Sequence, residues 1–124
     1  MKSRRRTAVA LAVMILLAFP TTSLGDTFRV KASGSMPSDF RWMPDFHGIS
    51  KGDRVRWTNP TETTHRVVAY KGPWSKNTAI APGERTSKVF DRNGAYYYRC
   101  TRPGHSTLID GDCNGMCGHI HVSS

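Results

Sequence analysis

The chain has 124 residues, a formal net charge of +9, and 18 Lys and Arg against nine Asp and Glu. That length holds one small domain with a modest core and excludes two. The basic residues are scattered rather than gathered in a stripe, which argues against a nucleic-acid-binding protein.

The N-terminal segment reads as a secretory signal peptide over residues 1–25. Lys2, Arg4, Arg5 and Arg6 precede an apolar run from Ala8 to Phe19, and the small residues Ser23 and Gly25 suit cleavage before Asp26. The apolar run is too short for a membrane-spanning helix, which needs about 20 residues. An exported protein, periplasmic or extracellular, is therefore expected, with the arginine run leaving the Sec and twin-arginine routes both open. Four of the 18 cations lie in this segment, so residues 26–124 carry 14 against nine acids, a balance of +5. Such a charge suits a solvated surface, or the steering of an acidic partner.

From Asp26 onward, short β-rich segments follow one another: "TFRVKA" (27–32), "DRVRWTN" (53–59), "THRVVAY" (64–70), "RTSKVF" (85–90), "AYYYRC" (95–100) and "HIHV" (119–122). Turn residues separate them at Lys51-Gly52-Asp53, Asn59-Pro60, Pro82-Gly83 and Asn93-Gly94. No helical period is visible, so the chain reads as an all-β sandwich. Alternation assigns the faces: Val55 and Trp57 inward with Arg54 and Arg56 outward, Ile120 and Val122 against His119 and His121, and Tyr96, Tyr98 and Cys100 together against Tyr97 and Arg99. Trp57 and Tyr98 are expected in the core. Trp42, Trp74 and Met43 fall in loop-like stretches, where they cover either a surface or a site.

Three cysteines in an exported chain cannot all pair, so one thiol needs another explanation. Cys100 ends a strand, His105 follows after a Pro-Gly loop, Met116 precedes the last strand, and His65 opens an earlier one. Two imidazoles, one thiolate and one thioether form the ligand set of a mononuclear copper electron-transfer site. Cu(I) prefers soft sulfur and Cu(II) prefers nitrogen, and this mixed set holds a geometry between the two preferences. His47, His119 and His121 are left out of the set, although the alternate histidines of the last strand suggest a second, weak metal site.

The segments "KGDRVRWTN", "THRVV", "APGE", "GAYYYRC" and "GMCGHIHV" together resemble the cupredoxins, the blue copper proteins, over nearly all of residues 26–124. "CTRPGHS" is similar to the ligand loop of azurin, and "GDRVRWTN" and "THRVV" to plastocyanin. The resemblance implies a Greek-key sandwich of about seven to eight strands. It also implies one copper ion, bound equatorially by His65, Cys100 and His105 and axially by Met116. Followed without a gap, the azurin-like loop places Ile109 where the methionine belongs, and Met116 is reached across a seven-residue insertion. A bridge between Cys113 and Cys117 is geometrically possible if their Cα atoms come within about 7 Å. It would leave Cys100 free, whereas the competing bridge joins Cys100 to Cys113 or Cys117.

The function so implied is that of a monomeric one-electron carrier, not an enzyme, working between redox partners that are acidic or membrane-bound, with His105 as the exit point. An exported copper-delivery protein is the alternative on the same fold. A further one is a binuclear centre like that of cytochrome oxidase subunit II, since Cys113, Cys117 and His121 have the C-x3-C-x3-H spacing; a plain structural sandwich is the last.

Overall fold

The computed structural model describes residues 25–124, so the signal peptide expected at the N-terminus lies, but for Gly25, outside the described residues. Eleven strands follow in order: β1 Thr27–Ser33, β2 Arg41–Met43, β3 Phe46–Ser50, β4 Arg54–Thr58, β5 His65–Lys71, β6 Asn77–Ile80, β7 Arg85–Val89, β8 Gly94–Arg99, β9 Ser106–Ile109, β10 Asp112–Gly115 and β11 Cys117–Ser123. Among the described residues there is no helix. A four-stranded sheet in the order β2-β1-β4-β7 faces a five-stranded sheet in the order β3-β11-β8-β5-β6, and β9 and β10 pair as a separate hairpin. Two of the pairings, β1 with β4 and β11 with β3, are parallel.

Alternation along the strands puts the apolar residues between the sheets. Val30, Val55, Trp57, Val67, Tyr96, Tyr98, Ile120 and Val122 are all buried, as the period-2 pattern requires. Burying a side chain of this size contributes about 1.5–3 kcal/mol, so these positions hold the sandwich closed. Trp57 is at the centre, with Tyr98 edge-on at 5.3 Å and Trp74 stacked at 6.4 Å between ring centroids. At the far end Asp53 ties three segments together, its carboxylate accepting the Asp26 N–H at 2.9 Å and the Ser50 N–H at 2.8 Å.

The six segments read as strands correspond to β1, β4, β5, β7, β8 and β11. The five others, three to five residues long, were not read as strands. Two placements need correction: Trp42 and Met43 both lie in β2, not in a loop, Trp42 fully buried and Met43 49% exposed. Trp74 does lie in a loop, where it packs against the core beside Trp57 and Phe90.

Candidate metal centre

Three segments converge at one end of the sandwich. His65 is the first residue of β5, Cys100 immediately follows β8, and His105 closes the short loop from Cys100 to β9. Loop closure depends on backbone bonds: the His105 N–H donates to the Arg102 carbonyl at 3.0 Å, and the Cys100 N–H to the Met116 carbonyl at 3.0 Å. His65 is held from the other side by Asn59, a buried amide whose nitrogen donates to the carbonyls of Thr63 at 2.7 Å and Ile80 at 2.9 Å. The loop from Asn59 to His65 is thereby anchored across β6.

The three side chains turn their donor atoms to a common point. Nδ1 of His65 lies 3.2 Å from Nδ1 of His105, and Sγ of Cys100 lies 3.3 Å from His105 Nδ1 and 4.0 Å from His65 Nδ1. All three residues are buried, and their donor atoms lie within 4.8 Å of one another. The triangle suits one ion with metal–nitrogen bonds of about 2.0 Å and metal–sulfur bonds of about 2.3 Å.

Protonation favours the same reading. The Thr61 hydroxyl has two oxygen acceptors, Asn59 Oδ1 at 2.6 Å and the Thr63 carbonyl at 3.1 Å, and with its proton given to either it presents a lone pair to His65 Nε2 at 2.9 Å. The His65 proton therefore sits on Nε2 and the Nδ1 lone pair points inward. Burial, with smaller contributions from His105 and Arg102, lowers the His65 pKa from its ordinary value of 6.5 to about 4. His105 is shifted down too, by burial and then by Arg102. Both imidazoles are thus neutral ligands at neutral pH. The Cys100 sulfur accepts the Arg66 N–H at 3.3 Å.

The family of copper-binding proteins that includes plastocyanin and azurin matches residues 29–123. The chain belongs to this plastocyanin/azurin family. Several solved cupredoxins share its fold. The purple cupredoxin of Nitrosopumilus maritimus is 19% identical with a TM-score of 0.59, over 77% of this chain and 98% of that one. An oxidised mutant of amicyanin is 19% identical with a TM-score of 0.60, over 78% and 82% of the two chains. A copper-containing nitrite reductase from Thermus scotoductus SA-01 is 23% identical with a TM-score of 0.58; 79% of this chain matches 22% of that enzyme. Among curated proteins no sequence relative matches.

Copper is the cofactor of this cupredoxin, and the arrangement of His65, Cys100 and His105 suits a single type 1 site. Met116 lies next to it, fully buried, its N–H bonded to the His105 carbonyl at 2.8 Å. Ile109 points elsewhere, 59% exposed in β9. The insertion is the hairpin β9–β10. Its two-residue turn, Asp110-Gly111, has φ of 51° and 84°, the left-handed pair that suits a tight hairpin, and the returning strand delivers Met116 to the site. Cys113 and Cys117 are bridged, with Cα atoms 6.0 Å apart, and Cys100 is the free, buried cysteine. The bridge removes both sulfurs from the ligand pool of the binuclear alternative, and His121 is exposed. His119 stacks on Tyr97 at 4.4 Å and stands 6.5 Å from the His121 ring, apart from the copper end.

Sequence reasoning missed the residues that support the ligands: Asn59, Thr61 and Arg66 by hydrogen bonds, and Phe40 by packing. Phe40, fully buried in the segment before β2, packs on His65 at 4.6 Å and on His105 at 4.7 Å between centroids. Its apolar ring borders both imidazoles, edge-on to His65 and tilted to His105. No local pattern marks it, because its partners are 25 and 65 residues away.

Proposed function

We propose that residues 26–124 form an exported, monomeric electron carrier in which His65, Cys100 and His105, with Met116 as the fourth ligand, would hold one copper ion. The observation that carries this reading is the buried triangle of two imidazole nitrogens and one free cysteine sulfur, the sulfur accepting a backbone N–H and the His65 ring bonded to Thr61. When bound, copper supplies the one-electron Cu(I)/Cu(II) couple.

The residues around it supply rigidity. Thr61 and Asn59 hold the His65 tautomer, Phe40 packs on both rings, and the Cys113–Cys117 bridge closes the bend between β10 and β11 at which Met116 sits. A site that cannot rearrange suits electron transfer better than metal delivery, which needs an exchangeable ion. His105, 5% exposed, lies under a shallow concavity of about 230 Å³ bordered by Pro37, Gly104 and Thr107. Electrons would cross there, into a docked redox partner.

The test is to add Cu(II) to the protein and record visible absorption and electron paramagnetic resonance, alongside Cys100→Ser. An intense thiolate-to-copper band that the variant lacks is the expected result; an unaltered spectrum in the variant would refute the ligand set. Met116→Leu should keep the colour and shift the reduction potential. Copper lost rapidly to a chelator, with slow electron self-exchange, would assign the site to delivery instead.

A further inference from the structure

The outer face of the four-stranded sheet carries a charge distribution that electron transfer at the copper end does not use. Strands β1, β2, β4 and β7 contain no acidic residue. Arg29 and Lys31 on β1, Arg54 and Arg56 on β4 and Arg85 on β7 alternate with buried or inward-facing neighbours and so point outward. Arg29 and Arg56 are register partners, and Lys31 and Arg85 both pair with Thr58. Like charges directly opposed across strands destabilise a sheet, and soluble surfaces ordinarily mix the two signs.

The cations line a concavity of about 520 Å³ together with Thr58 and the exposed Met43-Pro44. This concavity shares no lining residue with the one over His105.

We propose that this face docks the protein on an anionic phospholipid surface, with a headgroup phosphate in the concavity. Three of the four cations lining it are arginines, whose planar fork matches phosphate oxygens in pairs. The cations continue past the concavity to Arg54, giving an array along the sheet rather than a single socket, which complements a planar layer of headgroups. Met43, 49% exposed beside Pro44, offers the apolar contact that an interfacial position accepts. The docking itself does not depend on copper.

Copper-loaded protein sedimented with phosphatidylcholine vesicles containing about 30% phosphatidylglycerol should bind, and with phosphatidylcholine alone should not. Each cation at such a surface is worth about fivefold in partition, so R29Q/R56Q/R85Q should weaken binding by about a hundredfold. R29K/R56K/R85K should retain most of it, which separates charge from misfolding, and K51Q/K71Q/R92Q, which lies off this face, should lose far less. Raising NaCl from about 50 to about 300 mM should release the bound protein. Cys100→Ser, free of the copper thiolate, should bind the vesicles as the parent does. Equal binding to neutral vesicles, or a glutamine triple variant that binds like the parent, would overturn the proposal. So would capture by a poly-glutamate peptide without vesicle binding, which would assign the face to an acidic protein.

Discussion

His65 shows how little of a ligand is decided by the ligand itself. Its inward lone pair depends on Thr61, whose one hydroxyl proton goes to the oxygens of Asn59 or Thr63. Thr61→Val keeps the shape and removes the acceptor, freeing the ring to take the other tautomer. Copper affinity should fall by about 10- to 100-fold with the fold intact, the usual cost of losing a ligand's outer hydrogen bond; competition with a calibrated chelator measures it, and unchanged affinity would refute the role. Asn59→Ala is a structural change by contrast. It strands the Ile80 and Thr63 carbonyls and the Thr61 N–H, and should lower unfolding stability by about 3 kcal/mol in denaturant titrations.

The β9–β10 hairpin is the element that distinguishes this ligand loop. Gly115, at φ 102°, lets the returning strand pass within contact of the His105 backbone; an added Cβ would lie 2.5 Å from the His105 carbonyl oxygen. Gly115→Ala should therefore broaden or shift the copper-thiolate absorption as well as destabilise the fold, and a variant with the parental spectrum would show that the hairpin does not position the site. The Cys113–Cys117 bridge closes a loop of sequence separation 4. On the chain-entropy argument, replacing both cysteines by serine should cost about 2 kcal/mol. The variant should still colour with copper, because Cys100 is untouched, and thiol titration of the unfolded, metal-free parent should find one free cysteine.

At the scale of the molecule, two imidazoles buried at one end of a small sandwich couple stability to pH. The folded His65 pKa of about 4 lies below its ordinary 6.5, so between these values the unfolded chain binds the proton more readily. The contribution is complete above pH 6.5 and is lost as pH falls toward 4. His105 and His119, also shifted down by burial, act in the same direction. The melting temperature of the metal-free protein should therefore drop over that window, and His65→Asn should flatten part of the slope; an unchanged slope would mean that His65 is not the group being titrated.

Period-2 alternation was enough to assign the inward faces of β4, β8 and β11, because a sheet with one wet side imposes it residue by residue. The odd cysteine and the spacing of Cys100 to His105 made the ligand loop legible for a similar reason: both ligands come from one short stretch of chain. The Asp110-Gly111 turn was also visible in the sequence, and it would have identified the insertion as a hairpin. Phe40 against both imidazoles, Trp42 in the core, and the row of cations across three strands were decided by tertiary structure alone. Each joins residues tens of positions apart, and only the pairing of the strands sets which of them meet.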